Sequence, residues 1–331
     1  MKKIACVGYH ATGSGVIDDL FREFDNVAQG YYEAESRFLQ DPDGISDLEF
    51  HLVENPNRLV MGTAIERFLR YAKDKRRMYE KIFGSDWMML CQRYVDSITK
   101  FQFLGYHYSQ LKTKKPYVGY LHLFYRIMNK LTMEKYKKPV WYDYFPKETE
   151  YHACISESDF LEETRNFVDN LADKIPSNAN TEYVLFDQLV AGDNPSRYLR
   201  YVRDLKVIVV DRDPRDLYIH HEIHGDHALP KHDPYKFCVY YRDIRKRQCE
   251  TAPNEVLYVS FEDMILNYDI MVKKVMGFVG INSIHHIAPK THFIPEKSIQ
   301  GTQLWKRYPQ YIDAVKIIEQ ELPDYLYNYT R

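Results

Sequence analysis

A short segment near the start of the chain combines two glycines with small and polar residues. It lies between an apolar run at residues 4–7 and an amphipathic run at residues 16–24, a pattern that predicts a strand, a loop and a helix. Glycine lets backbone N–H groups turn toward an anion, and a helix N-terminus adds unpaired donors. We therefore predict that a phosphate or sulfate group binds this loop, which consists of Tyr9, His10, Ala11, Thr12, Gly13, Ser14 and Gly15.

The spacing of the glycines separates this loop from two common nucleotide-binding motifs. Gly8 and Gly13 have the G-x4-G spacing of a triphosphatase loop, but Ser14 and Gly15 stand where that loop has Lys-Ser or Lys-Thr. The dinucleotide fingerprint G-x-G-x-x-G is not matched either. The alternative for this loop is a glycine-rich turn that joins a strand to a helix and binds nothing.

Charged side chains follow two further predicted strands. Glu33, Glu35 and Arg37 come directly after a short second strand, and Arg212 ends the β-branched run at residues 206–211. Because ligands of parallel sheets bind at the carboxyl ends of the strands, these side chains are expected to face the same crevice as the loop. The guanidinium of Arg212 is suited to bidentate hydrogen bonding with a phosphate. For the acidic pair, the alternative is an exposed turn with a local ion pair.

Other catalytic chemistries find little support in the sequence. Histidines occur at positions 220, 221, 224 and 227, but the segment His221-Glu-Ile-His224 is one residue too short for the H-E-x-x-H zinc motif. The five cysteines are scattered and lack Cys-x-x-Cys spacing, so we predict reduced thiols and no metal. No spacing supports paired-carboxylate glycoside hydrolysis or a Ser-His-Asp triad.

Alternating strand and helix patterns at both ends of the chain predict an α/β fold with about five parallel strands flanked by helices. Between them, residues 46–175 predict helices, which we interpret as an insertion that shapes acceptor binding in a single domain covering residues 1–331. Twelve aromatic residues of this insertion are interpreted either as core or as the lining of an acceptor pocket. They are Phe101, Phe103, Tyr106, Tyr108, Tyr117, Tyr120, Phe124, Tyr125, Trp141, Tyr142, Tyr144 and Phe145.

Composition limits the partners and the location. The net charge of −2 argues against a nucleic-acid binder, although basic residues cluster locally at 73–77 and 112–115. No run of eighteen apolar residues occurs, and the first strand starts close to residue 1, so we expect neither a membrane span nor a signal peptide. A cytoplasmic location is expected. The sequence does not indicate an oligomeric state.

The order of motifs resembles the sulfotransferases that use 3′-phosphoadenosine 5′-phosphosulfate (PAPS). In that family a first loop, here residues 9–15, binds the 5′-phosphosulfate, and a strand ending in R-[DN]-P-[RK]-D, here residues 207–216, binds the 3′-phosphate. A [YF]-E-D-[LM] element resembles residues 261–264, and a C-terminal basic, glycine-containing loop with a tryptophan resembles residues 297–305. The resemblance covers roughly the first 40 and last 150 residues. It implies cofactor contacts from Arg212, His220, Lys297, Gly301 and Trp305.

Two positions depart from the family pattern. Ala11 stands where many members carry a lysine or arginine, so the charge that stabilises the transferring sulfuryl group must come from elsewhere, and His10, Arg37 and Lys297 are the candidates. His220 stands where a serine commonly follows the 3′-phosphate arginine by eight residues. An imidazole can still donate to a phosphate.

The resemblance implies transfer of a sulfuryl group from PAPS to a hydroxyl-bearing acceptor, with a carbohydrate or glycoconjugate as the preferred class. The alternatives are a sterol-like alcohol, a tyrosyl group, or a nucleotide-binding or kinase-like protein without sulfate transfer. Several family members use the glutamate of an E-x-R element as the base, which assigns this role to Glu35 with Arg37 beside it. Glu33 and Asp187 are the rival candidates.

Overall fold

The computed structural model describes residues 1–32, 34–225, 228–248 and 254–330. Within these ranges seven strands form a five-stranded sheet and a separate two-stranded sheet. The strands are β1 (Lys2–Val7), β2 (Val27–Gln29), β3 (Phe101–Gly105), β4 (Glu148–His152), β5 (Tyr183–Asp187), β6 (Leu205–Asp211) and β7 (Val256–Ser260).

The helices fall into three groups along the chain. One helix follows β1, seven lie between β2 and β5, and eight lie after β5. They are α1 (Gly15–Phe21), α2 (Ile45–Glu49), α3 (Met61–Asp74), α4 (Arg76–Phe83), α5 (Trp87–Ile98), α6 (Tyr108–Lys114), α7 (Val118–Tyr136), α8 (Glu157–Ala172), α9 (Pro195–Leu199), α10 (Pro214–His224), α11 (Pro234–Arg247), α12 (Phe261–Leu266), α13 (Tyr268–Val279), α14 (Pro295–Ser298), α15 (Leu304–Arg307) and α16 (Ile312–Glu321).

The larger sheet is parallel and has the strand order β2-β5-β1-β6-β7. Strand β1 is central, with Ala5 paired to Phe186 of β5 on one side and to Val207 of β6 on the other. After β1 the chain forms β2 and β5 on one side of this strand, and then β6 and β7 on the other side. Crossovers in opposite directions leave a crevice at the carboxyl end of such a central strand, where ligands of open α/β sheets bind.

Side chains of the central strand alternate between two apolar layers. Ala5 and Val7 belong to the core under α3, α4, α5 and α8, whereas Ile4 and Cys6 belong to the core under α1, α12 and α13. This two-residue alternation is what a strand covered on both faces requires. The predicted α/β architecture with five parallel strands is therefore confirmed.

The helix caps predicted after β6 and at the end of α13 are present in the structure. The Asp213 side chain accepts a hydrogen bond from the N–H of Arg215, and Pro214 occupies the first position of α10. Gly280 ends α13 in the left-handed conformation with φ of 86°. The cap at Asp213 and Pro214 starts α10 directly after β6 and thereby fixes where Arg212 lies.

The insertion at residues 46–175 differs from its predicted purely helical form. It contains the helices α3–α8, but β3 and β4 pair as an antiparallel hairpin that packs beside α3. Of the two interpretations of its twelve aromatic residues, burial in the core does not apply to most of them. Phe145 is buried, but six are exposed and five are half-buried. The exposed six are Phe101, Phe103, Tyr117, Tyr120, Phe124 and Tyr144.

Candidate functional site

A cleft of about 660 Å³ opens at the carboxyl end of β1. The entire segment from Gly8 to Gly15 lines it, and Glu35 and Arg37 contribute from the loop after β2. The structure thus brings together the predicted anion-binding loop and the predicted E-x-R pair. The aromatic residues of the insertion are not among the described residues that line this cleft.

The loop has an unusual backbone. His10, Ala11 and Gly13 have φ values of 77°, 52° and 91°, so three residues of the loop are left-handed. Such turns direct consecutive N–H groups into a concave surface that suits an anion, and non-glycine residues adopt them at a cost in free energy. The Thr12 hydroxyl is buried and has no hydrogen-bond partner among the described residues. The loop therefore fits a phosphate or sulfate group.

Gly13 is required by space as well as by conformation. A Cβ atom at this position would lie 2.4 Å from Cδ2 of Phe261, a ring at the start of α12. The turn that carries the N–H groups is thus pressed against the helix that follows β7. A side chain at position 13 would push the loop away from this support.

Gln188, directly after β5, holds both ends of the loop. Its Oε1 accepts a hydrogen bond from the N–H of Gly8 at 3.3 Å, and its Nε2 donates to Oγ of Ser14 at 2.8 Å. Gln188 is itself fixed, because Gln40 donates to its carbonyl oxygen at 2.5 Å and its own N–H donates to the carbonyl of Cys6 at 2.9 Å. This clamp holds the loop in shape without a ligand.

Glu35 and Arg37 face the cleft as a connected pair. Nη1 of Arg37 lies 3.4 Å from Oε2 of Glu35. The Nε of Arg37 donates to Oδ1 of the largely buried Asp41 at 2.8 Å. The N–H of Ser36, between them, donates to the carbonyl of Asp187 at 2.7 Å. Asp41 thus orients the guanidinium, and the main chain ties the pair to the end of β5. Glu33 lies outside the described residues.

Two carboxyl groups, those of the buried Asp18 and the half-buried Asp187, lie behind the loop in a small cavity that Ser36 and Gln29 also line. Burial is the main factor that raises the pKa of Asp18 to about 7, with a contribution from the charge of Asp187. Burial likewise raises the pKa of Asp187 to about 6, although a hydrogen bond from the Cys6 thiol opposes the shift. Asp187 is therefore available as a base near neutral pH, but it is not among the described residues lining the loop cleft.

Arg212 lies beneath the loop rather than in the cleft. It is only 4% exposed, and its Nη1 and Nη2 donate to the carbonyl oxygens of Ala11 at 2.9 Å and Gly301 at 2.6 Å. Its Nε has no partner among the described residues, and its guanidinium stacks over the Phe261 ring at 4.9 Å. Burial lowers the pKa of Arg212 despite the neighbouring carboxylates Asp216 and Glu262. Arg212 thus joins the predicted anion loop to the C-terminal loop.

The C-terminal residues of the predicted site are spread around this arginine. Gly301 touches Arg212 and Phe261, whereas Trp305 lies under the guanidinium of Arg215 at 4.6 Å. Asp216 fixes the intervening turn, because its carboxylate accepts from the N–H groups of Gln303 and Leu304, both at 2.7 Å. Lys297 is exposed on α14. None of Gly301, Trp305 and Lys297 is among the described residues that line the loop cleft.

Four histidine rings form two contacting pairs, one of which includes His10 of the loop. The ring of His10 meets that of His221 edge-on at 6.0 Å, and His220 stacks on His224 at 4.1 Å. Burial and the charge of Arg212 lower the pKa of His220 to about 4, so this ring is neutral at pH 7. No group of metal-binding side chains is found within the described ranges, and His227 lies outside them.

Several lining residues were not predicted from the sequence. Besides Gln188 they are Gln40, Gly192, Asp193, Ala228, Tyr240 and Ile244. Gln188 follows a predicted strand end, so its place along the chain was a usable signal. Gly192 was not, because its role is steric, and a Cβ atom there would lie 2.4 Å from the carbonyl oxygen of Gly8.

A second cavity, of about 720 Å³, lies at the amino ends of the strands. It is lined by the starting residues of β1, β5 and β6, among them Lys2, Tyr183 and Leu205. Although it is slightly larger, it contains neither the left-handed loop nor a charged pair after a strand. Ligands of parallel sheets bind at the carboxyl ends, which favours the loop cleft as the functional site.

Comparison with known proteins does not show a family for this chain. No protein-family model and no curated protein matches the chain. Among solved structures, the sulfotransferase domain from the curacin biosynthetic pathway is similar over 96% of this chain and 96% of its own, with 9% sequence identity and a TM-score of 0.40. A likeness at this TM-score and identity carries no argument about the activity of this chain.

Proposed function

We propose that this protein transfers the sulfuryl group of PAPS to a hydroxyl group of an acceptor, with a carbohydrate or glycoconjugate as the acceptor class. One observation carries the proposal. A loop with three left-handed residues and a Glu-x-Arg pair line the same cleft at the carboxyl end of the central strand. The first is suited to hold an anion, and the second supplies a base and a positive charge beside it.

In this proposal the N–H groups of residues 9–15 hold the 5′-phosphosulfate, and Arg212 contacts the 3′-phosphate with help from His220, Gly301, Lys297 and Trp305. The Nε of Arg212 has no protein partner within the described chain, whereas both Nη groups are engaged by carbonyl oxygens. Contact with a phosphate would therefore use Nε or replace one of these two bonds.

PAPS supplies an activated sulfuryl group attached to a phosphate that leaves on transfer. Glu35 accepts the proton of the attacking acceptor hydroxyl, and Arg37 places positive charge where negative charge develops on the sulfuryl oxygens. Arg37 suits this task better than Lys297, because it lines the cleft and is oriented by Asp41. His10 also lines the cleft and remains a second contributor. The absence of a basic side chain at Ala11 is thereby compensated.

Glu35 is favoured as the base over Asp187 because of access. Glu35 is exposed and lines the cleft, whereas Asp187 is half-buried, does not line it, and accepts a hydrogen bond from the Cys6 thiol. A base must reach the hydroxyl within hydrogen-bond distance, directly or through one water. Asp187 would need a path through the small cavity behind the loop.

The engaged Nη groups of Arg212 favour one alternative, a protein that binds a nucleotide in this cleft without transferring sulfate. Parallel incubations with sulfur-labelled PAPS and γ-labelled ATP against a panel of carbohydrates, sterols and tyrosyl peptides separate the two functions. Label transferred from PAPS to a carbohydrate supports the proposal. Transfer from ATP, or tight PAPS binding with no transfer to any acceptor, contradicts it.

A further inference from the structure

The outer face of α7 is apolar and exposed. Five large side chains on it are between 50% and 81% exposed, namely Tyr120, Leu123, Phe124, Ile127 and Leu131. At about 3.6 residues per turn their spacing places them within an arc of roughly 100°. They form one continuous stripe along the helix, which we call the α7 stripe.

The opposite face of the same helix is already occupied. Val118 and Asn129 are buried, and Oδ1 of Asn129 accepts a hydrogen bond from the N–H of Trp141 at 2.9 Å. One turn further, Oγ1 of Thr132 accepts from the indole N–H of Trp141 at 3.0 Å. These contacts fix how α7 is rotated on the insertion. The α7 stripe therefore stays exposed through the packing of the other face.

Basic residues border the stripe. Arg126 and Lys130 flank it on one side and Lys135 on the other, and all three are exposed. Between residues 101 and 147 the chain carries nine lysines and arginines against two acidic residues, although the whole protein has a net charge of −2. Positive charge is thus concentrated in the segment that carries the exposed apolar stripe.

We propose that the α7 stripe is a docking surface for an anionic lipid membrane. Apolar and aromatic side chains bordered by lysine and arginine are the pattern of helices that lie at the boundary between headgroups and acyl chains. The basic residues would contact lipid phosphates while the stripe enters the boundary region. None of the described helices is both long and apolar enough to cross a bilayer.

Charge and side-chain type favour a membrane over other occupants. A second copy docked through the same stripe would bring two strongly basic segments together, which like-charge repulsion opposes. Nucleic acid would match the charge and could stack on Tyr120 and Phe124, but the other three stripe residues, Leu123, Ile127 and Leu131, are aliphatic and offer neither a ring nor a polar group for base edges. Lipid matches both the charge and the aliphatic surface.

The test is sedimentation of the full chain with vesicles of phosphatidylcholine, either pure or containing phosphatidylserine. We expect binding to the vesicles that contain phosphatidylserine and little binding to the pure ones. Lys130→Glu should lower the partition coefficient at least ~5-fold, since each basic residue near an anionic surface contributes substantially. The double variant Leu123→Ser/Ile127→Ser should lower it at least ~10-fold by removing apolar contact.

Matched controls are Ile270→Ser and Ile284→Ser, which alter similarly exposed isoleucines outside the insertion and should bind like the wild type. Circular dichroism checks that every variant is folded. The proposal is overturned if the wild type does not sediment with the acidic vesicles, or if the stripe variants bind as the wild type does. Two other results would also overturn it. If sedimentation velocity shows a wild-type dimer that the stripe variants abolish, the stripe is a self-association surface. If the wild type binds RNA as strongly as it binds the acidic vesicles, the stripe is a nucleic-acid surface.

Discussion

Replacing Arg212 by methionine should both destabilise the fold and disturb the anion loop. The buried guanidinium donates to the carbonyl oxygens of Ala11 and Gly301 at 2.9 and 2.6 Å. Hydrogen bonds with a charged partner contribute about 1.5–3 kcal/mol each. Burial of the charge opposes part of this gain, as the lowered pKa of Arg212 indicates. We therefore expect Arg212→Met to lower the free energy of unfolding by about 2–4 kcal/mol.

Urea unfolding and calorimetric titration with adenosine 3′,5′-bisphosphate measure the two roles of Arg212 separately. If Arg212 also contacts the 3′-phosphate, the wild type should bind the bisphosphate at least ~30-fold more tightly than AMP, which corresponds to about 2 kcal/mol. Arg203→Met is the control, because Arg203 pairs with Glu162 and Asp169 at the amino end of the sheet. This variant should lose stability without losing the preference for the bisphosphate.

Two results would refute this reasoning in different ways. Unchanged unfolding of Arg212→Met would mean that the two carbonyl contacts do not support the loop. Equal wild-type affinity for the bisphosphate and AMP would show that Arg212 is a structural link only. In that case the 3′-phosphate role would be wrong, while the loop could still bind the 5′ group.

Two further predictions concern carboxyl groups near the cleft. Glu35→Gln should lower kcat by at least ~10²-fold with near-normal PAPS affinity, whereas near-normal turnover with an inactive Asp187→Asn would move the base to the end of β5. Asp18→Asn should raise the free energy of unfolding by about 2–4 kcal/mol at pH 8 and change it little at pH 4, because the folded pKa of about 7 exceeds the ordinary value and stability is lost as pH rises through that range. Asp313→Asn, at an exposed first-turn position of α16, should show no such pH dependence in the same urea titrations.

The sheet was predictable because its strands carry strong local signals. Residues 207–210 are β-branched and apolar, and the cap at Asp213 and Pro214 marks where the strand ends. The rule that ligands bind at the carboxyl ends of parallel strands was enough to place Glu35 and Arg37 beside the loop. These inferences required only local pattern and topology.

The hairpin and the role of Gln188 were not predictable in the same way. Residues 148–152 read Glu-Thr-Glu-Tyr-His and lack apolar alternation, so β4 exists through its pairing with β3 and its contact with α3. Gln188 clamps the loop through atoms that are 174 and 180 residues away in the chain. Its place after a predicted strand end indicates the right edge of the sheet, but the partners of its side chain, so far away in the chain, do not follow from local pattern.

The direction of Arg212 and the exposure of the aromatic residues show a further limit. An arginine at a strand end predicts a contact with a ligand. In this structure, however, the Nη groups of Arg212 donate to two main-chain carbonyl oxygens. Aromatic density likewise does not distinguish a core from an exposed surface. In α7 both faces carry apolar residues, and which face is covered depends on packing by distant residues, including the hydrogen bonds of Trp141 with Asn129 and Thr132.

The central claim is that the loop at residues 9–15 holds the 5′ anionic group of a nucleotide, and Gly13→Ala tests it most directly. The substitution places a Cβ atom at a φ of 91° and 2.4 Å from the Phe261 ring. Calorimetric titration with adenosine 3′,5′-bisphosphate should show ~10- to 100-fold weaker binding, in line with the cost of a strained backbone. Gly277→Ala, in α13 with open space around it, should bind as the wild type does. A folded Gly13→Ala variant with wild-type affinity, or a wild type that does not bind the bisphosphate, would contradict the claim.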